Sequence, residues 1–306
     1  MNTQILYVLV SSKDDLILEQ MWASVYSLRR FHPKEKVIVL VDAPTAKRIN
    51  EKPSLNDLLT EVKVINVPEH YNNMLRSRYM KTSMRNLIEG NFLYIDTDTI
   101  ILKPLNEIES LGVRNIAMVE DGHTVFLKSK EYNVNCEKTK YVTGSDISDV
   151  KYYFNSGIIY AVDNEQTRNF FLNWHQHWLM SVQNGLFTDQ TALACTDKSY
   201  NNFIERLPDV YNFQILSYIF PIQAKIVHYF TSQIKIDRYN ILLLYDEIHT
   251  YDGITEKAAR IIINIDKQFH GVRFLLWELK RVSDLVRVRL AIRTRFRNLV
   301  KFSGIK

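Results

Sequence analysis

The run NFLYIDTDTIILKPL, residues 91 to 105, decides the fold. Four apolar residues with β propensity lead straight into Asp96, Thr97 and Asp98, so two carboxylates end what reads as a buried strand. In open α/β sheets ligands gather at the carboxyl ends of strands, which makes this end the expected site. Alternation along a strand points residues i and i+2 the same way, so Asp96 and Asp98 can converge on one cation. A pair of hard oxygen ligands suits Mn²⁺ or Mg²⁺, which keep positions open for phosphate oxygens. That is the chemistry of a diphosphate leaving group, whose growing negative charge a cation stabilises. A bare D-x-D is expected on the order of once by chance in a chain of this composition; its place after the strand gives it weight.

Working outward, residues 4 to 10 and 36 to 41 are short apolar strands, with Leu18, Met21, Trp22, Val25 and Leu28 at helical spacing between them. A helix interrupted near Pro53, a strand at 62 to 67 and a helix around 79 to 88 lead back to the strand at 92 to 95. This alternation predicts an α/β fold, a mainly parallel central sheet flanked by helices. Neither G-x-G-x-x-G after the first strand nor a P-loop sequence is present, which removes most support for dinucleotide and P-loop readings. The stretch EKTKYVTGSDISDVKYY, residues 137 to 153, reads as a polar loop over a site. Residues 164 to 180 read as a helix whose Phe170, Phe171, Trp174 and Trp178 pack in the core, and a shorter helix follows Thr188. His175 and His177 diverge around such a helix and do not form a metal pair.

The 306 residues, 46% hydrophobic and 24% charged with 9 Gly and 7 Pro, describe an ordered globule with a sizeable core. Cys136 and Cys195 lack metal or disulfide-framework spacing and read as two buried thiols in a reducing compartment. The N-terminus has no basic region and too short an apolar run for a secretory signal, so the expected location is cytoplasmic. The net charge of +5 is uneven: residues 271 to 306 hold ten Lys/Arg against Glu278 and Asp284. This predicts a catalytic domain over 1 to 237 and a helical basic C-terminal region over 238 to 306, with helices at 255 to 269 and 272 to 300. The basic tail points to an anionic surface, an inner membrane leaflet rather than nucleic acid; a helical appendage or dimer contact is the competing reading.

Four segments in order, YIDTDTI at 94 to 100, YFNSGIIY at 153 to 160, TDQTAL at 188 to 193 and KIVHY at 225 to 229, resemble glycosyltransferase family 8. That family comprises retaining galactosyl- and glucosyltransferases such as glycogenin and the bacterial lipopolysaccharide sugar transferases. The resemblance covers roughly residues 4 to 230 and implies the GT-A nucleotide-diphospho-sugar transferase fold. It implies that Asp96, Asp98 and His228 ligate Mn²⁺ (or Mg²⁺), with Thr97 between the carboxylates in the donor site. It also implies that Asn155, Ser156 and Gly157, read as a turn, face the donor sugar, and that Asp189 and Gln190 meet its hydroxyls or reacting face. Arg78 matches the family's basic donor position, Lys81 one turn later reaches the same groups, and Val10, Ser11 and Ser12 receive the uridine, with Asp14 a candidate uracil contact. The family's Gly and Lys-Pro-Trp after the histidine are replaced by HYFTSQIKID, which leaves Lys235 a displaced phosphate candidate.

The implied activity is Mn²⁺-dependent transfer of galactose or glucose from a UDP-sugar to a saccharide or lipid-linked acceptor, as in cell-surface polysaccharide synthesis. With no evident enzymic nucleophile, a front-face substitution is favoured over a double displacement. Two other readings stay open from residues alone. One is a sugar-nucleotide nucleotidyltransferase, which would want a glycine-rich loop where VLVSSKDD stands; the other is a non-catalytic module binding anionic surfaces.

Overall fold

The computed structural model describes residues 1–215, 224–231 and 240–268; Lys235, the tail at 271 to 306 and the helix expected at 272 to 300 lie outside them. The strands are β1 (Gln4–Leu9), β2 (Val37–Val41), β3 (Glu61–Val64), β4 (Phe92–Ile95), β5 (Thr99–Ile101), β6 (Ile116–Glu120), β7 (Phe154–Ala161), β8 (Glu205–Arg206), β9 (Phe213–Gln214) and β10 (Ile226–His228). The α-helices are α1 (Ile17–Arg29), α2 (Ala43–Asn50), α3 (Pro53–Asn56), α4 (Asn73–Ser83), α5 (Tyr132–Thr143), α6 (Glu165–Gln183), α7 (Asp189–Ser199), α8 (Ile241–Tyr251) and α9 (Glu256–Gln268). Seven strands form one sheet in the order β3-β2-β1-β4-β7-β6-β8, and β5-β10-β9 form a second, smaller one.

Alternation along β1 builds two cores. Ile5, Tyr7 and Leu9 face α1, through Leu18, Met21, Trp22, Val25 and Leu28, whereas Leu6 and Val8 face Met80, Met84, Phe170, Phe171, Trp174 and Trp178 on the other side. Each fully buried side chain of this size contributes roughly 1.5–3 kcal/mol relative to exposure. The line between residues 237 and 238 separates elements that share one core, because Ile241, Leu244, Tyr245 and Ile248 of α8 and Ala258, Ile262 and Ile265 of α9 join the α1 side. No helix among the described residues is long and apolar enough to cross a membrane.

The sheet is mainly parallel, as the succession of elements predicts: β1 pairs in parallel with β2 and β4, and β2 with β3. β7 is the exception, antiparallel to both β4 and β6. Its first residues therefore lie at the carboxyl ends of its neighbours. Asn155, Ser156 and Gly157 thus belong to a buried strand and not to the turn their residue types suggest. A register shift between Met118 and Val119 leaves Ser156, Gly157 and Ile158 bulged from the β6 ladder, since Met118 faces Ile159 while Val119 faces Asn155.

Two further expectations need correcting. Residues 132 to 143 form α5, so of the stretch 137 to 153 only 144 to 153 is loop; the helix buries only Thr139 and Val142 and stops at Gly144, whose φ of 72° is the left-handed conformation of a C-terminal cap. So narrow an apolar stripe leaves little periodic signal. Of the two thiols only Cys195 is buried, Cys136 being half-buried on α5.

Near the end of α7, Asp197 is buried, and burial raises its carboxyl to about 6 although the Ile204 N–H donates to it at 2.8 Å. A carboxyl with a folded pKa above its unfolded value binds more protons when folded, so its contribution to stability rises as pH falls from about 6 toward 4. Asn keeps the acceptor without the charge. Asp197→Asn is expected to gain on the wild type by about 1–2 kcal/mol at pH 7.5 and to lose that advantage near pH 4.5, read from urea unfolding midpoints at the two pH values.

Candidate metal and donor site

After β4 the chain turns through Asp96, Thr97 and Asp98 and enters β5, which belongs to the second sheet. The two carboxylates thus converge through a turn between sheets rather than through strand alternation. Thr99 holds the turn by donating its hydroxyl to the Asp96 carbonyl at 2.9 Å. β10 pairs antiparallel with β5, setting His228 opposite Thr99, and the Tyr229 N–H donates to the Asp98 carbonyl at 3.0 Å. His228 Nε2 consequently stands 3.1 Å from Asp98 Oδ1 and 3.8 Å from Asp96 Oδ2. One ligand atom from each of these three residues lies within 4.8 Å of the others.

The electrostatics are those of a cation site. Burial would raise the Asp98 carboxyl, but the His228 imidazole and hydrogen bonds from the Thr231 N–H (2.9 Å) and hydroxyl (3.2 Å) hold it at about 2. Burial would lower His228, yet Asp98 and Asp96 raise it above the ordinary histidine value. The Tyr94 hydroxyl donates to Asp96. An imidazole nitrogen and two carboxylates turned toward one another fit a divalent cation such as Mn²⁺ or Mg²⁺.

A second cluster adjoins the first. Asp189 opens α7 and is buried; Arg78 Nε lies 3.1 Å from its Oδ1, and Lys81 Nζ 3.5 Å from its Oδ2. Lys81 also reaches Asp96 at 3.2 Å, so a lysine with only 1% of its side chain exposed bridges the two carboxylates. The Ser156 hydroxyl donates to Asp189 at 2.7 Å. Burial pushes the Asp189 carboxyl up, but Lys81, Arg78 and Ser156 outweigh it and hold it well below the usual range. Arg78 is raised in turn, chiefly by Asp189.

Gln190, the next residue of α7, donates through Nε2 to Asp121 Oδ1 at 3.3 Å and to the Phe154 carbonyl at 3.2 Å. Asn155 donates to the same Asp121 oxygen at 3.0 Å. Gly157 lies against the histidine: a Cβ there would stand 2.3 Å from His228 Cε1 and 2.6 Å from Nδ1. On the ring's other neighbour, Phe230 stacks at 4.2 Å between centroids while holding a φ of 53°, a left-handed conformation that costs a bulky residue of order 1–3 kcal/mol.

The end of β1 is built as a rigid loop. Asp15 accepts from the Ser11 hydroxyl (2.6 Å), the Ser12 N–H (2.7 Å) and the Ser12 hydroxyl (2.8 Å), and Arg48 donates to the Ser11 hydroxyl at 2.6 Å. Val10 and Ser11 are buried, whereas Asp14 is exposed. The anchoring acid is therefore Asp15. His175 and His177 are spent between helices, on Thr82 at 2.7 Å and Thr196 at 2.8 Å.

The sequence profile described as Glycosyl transferase family 8 matches residues 24–235. The chain belongs to that family. No curated protein matches it. Among solved structures it is similar to the galactosyltransferase LgtC in complex with donor and acceptor sugar analogues, with a TM-score of 0.57 at 15% identity over 85% of this chain and 100% of that one. It is similar also to the apo form of mouse xyloside xylosyltransferase 1, with a TM-score of 0.54 at 12% identity over 77% of this chain and all of that one. The glycosyltransferase GlyE of Streptococcus pneumoniae TIGR4 gives 0.52 at 17% identity over 85% of this chain and 63% of that one. The expected glycosyltransferase fold is thereby shown, and the protein is a glycosyltransferase.

Of the residues picked out in the sequence of this family 8 glycosyltransferase, Asp96, Asp98, His228, Arg78, Lys81, Asn155, Ser156, Gly157, Asp189 and Gln190 are joined by these contacts. Sequence reading missed Asp121, Asn212 and Thr231, whose partners lie across the fold, and Tyr94, which alone carries a local signal, standing on β4 two residues before Asp96. Gly157→Ala is expected to destabilise the protein by about 1–3 kcal/mol, measured by chemical denaturation, because the methyl group displaces either the strand or the His228 ring.

Proposed function

We propose that this glycosyltransferase is a retaining hexosyltransferase that moves galactose or glucose from a UDP-sugar to a saccharide or lipid-linked acceptor. Asp96, Asp98 and His228 would hold Mn²⁺ or Mg²⁺. The observation that carries the reading is the cluster of those three residues beside the Arg78, Lys81 and Asp189 network, where the carboxyl end of β4 meets the start of β7. A bound cation would offset the negative charge that grows on the departing diphosphate.

The chain's own residues would do the rest. The half-buried Arg78 and the buried Lys81 favour an anionic donor close by and keep Asp189 ionised. An Asp189 tied to two cations and a serine hydroxyl is a weak nucleophile, which favours front-face substitution. In that substitution the bond from the anomeric carbon to the UDP oxygen breaks as the bond to the acceptor oxygen forms on the same face. The acceptor proton passes to the leaving UDP oxygen, and Gln190 and Asp189 stabilise the cationic sugar. The pinned Ser11 and Ser12 loop after Val10 suits a uridine seat. The relatives' names speak of galactosyl transfer in one and xylosyl transfer in another, and galactose or glucose is our choice for this chain on the family resemblance.

We place the reaction in cell-surface polysaccharide or lipopolysaccharide synthesis at the inner face of the membrane. The support is the charge of residues 271 to 306, with ten Lys/Arg against two acids. Deleting them should reduce sedimentation with anionic liposomes at least severalfold and leave that with neutral liposomes unchanged.

Donor use is tested by UDP release from a panel of UDP-sugars, with and without Mn²⁺. One UDP-hexose should turn over with the cation, and Asp98→Ala should lower the rate by two orders of magnitude or more. Turnover that ignores the cation, or survives the substitution, would refute the metal assignment.

A further inference from the structure

The contacts around His228 contain a chain of forced hydrogen-bond directions. The Gly157 backbone N–H can only donate, and it donates to Asn155 Oδ1 at 3.0 Å. That contact fixes which end of the Asn155 amide is oxygen, so its nitrogen faces the Asp121 carboxylate, which it meets at 3.0 Å. Asn212 approaches the same Asn155 oxygen at 2.9 Å and must present its nitrogen there. The other end of the Asn212 amide, its oxygen, is then left for His228 Nδ1 at 3.1 Å. An amide oxygen only accepts, so Nδ1 carries a proton. Nε2 is the nitrogen left to face Asp96 and Asp98, 3.1 Å from Asp98 Oδ1, where a cation would take the place of a proton.

We propose that Asn212 is a positioning residue that selects the Nδ1–H form of His228 and fixes the plane of its ring, by passing on the direction set by the Gly157 N–H. The inference deepens the metal reading given above and rests on it only for the purpose of the device. Asn212 is fully buried just before β9, and β9 pairs with β10, so the asparagine and the histidine are held by neighbouring strands. Gly157 serves twice. Its N–H starts the sequence of bonds, and its missing side chain leaves room for both the ring and Asn155 Oδ1, which a Cβ would approach to 2.9 Å. A histidine that gives a metal one nitrogen commonly donates the other N–H to a fixed acceptor, and loss of such an acceptor weakens metal binding by about 10–100-fold.

The test uses the full chain with ¹⁵N-labelled histidine, observed by NMR in the presence of Mg²⁺, which would stand in for a proton at Nε2. The wild type should show the proton on Nδ1; Asn212→Ala and Asn212→Leu, which fills the space without an acceptor, should both lose that preference. A wild-type ring with no proton on Nδ1, or an Asn212→Ala spectrum like the wild type's, overturns the inference whether or not metal binds. Mn²⁺ affinity is then measured by electron paramagnetic resonance on the same three proteins. It should fall about 10–100-fold in both variants; an affinity kept by Asn212→Leu would reduce Asn212 to a packing residue and overturn the inference. Wild-type protein that shows the Nδ1 proton but binds no Mn²⁺ would remove the metal reading while the positioning of His228 stood.

Discussion

The constraint on which the rest of the structure depends is negative charge held away from water. The half-buried Asp96 and Asp98 and the buried Asp189 meet where the large sheet hands over to the small one, and an isolated carboxylate taken out of water would cost up to several kcal/mol. Their surroundings offset that cost group by group. Lys81 bridges Asp96 and Asp189, Arg78 takes the other side of Asp189, His228 and Thr231 serve Asp98, and Tyr94 serves Asp96. A lysine buried as deeply as Lys81 makes sense only in such company. The result is a polar site whose members hold one another in place, on strands packed on both faces by apolar side chains.

How much of this was legible in the sequence depends on whether a feature is local. The order of strands and helices is written in periodicity: Leu18, Met21, Trp22, Val25 and Leu28 announce α1 because one face of a helix must meet the sheet. Asp96 and Asp98 stand out because they end an apolar strand. His228 was found only through its resemblance to a family motif, since a histidine in I-V-H-Y says nothing of carboxylates 130 or more residues away. Asn212 and Asp121 were missed for the same reason, their partners lying 57 and 34 residues off in Asn155. Asn155 to Gly157 misled in the opposite sense: residue types that favour turns are held in a strand by its pairing with β4 and β6.

The region after residue 238 shows a limit of reading by composition. Its basic charge drew attention as a block, yet its first helix is apolar on the side that meets α1, and the second continues the same core. α8 is tied to α1 as well by His249, whose Nδ1 lies 2.9 Å from Glu19. These helices therefore back the strand that carries Val10 and the Ser11 and Ser12 loop, far along the chain from the elements they support.

The partnership of Asn155, Gly157 and Asn212 has a consequence for how the sequence can drift. Each satisfies a demand made by another: the glycine leaves space and offers its N–H, one asparagine turns that direction around, and the second delivers it to the histidine. A change at any one of them strands a buried polar group at the next. Over evolutionary time the three positions should be inherited as a single character, kept or exchanged together, although the chain runs through a whole aromatic-lined helix between the first two and the third.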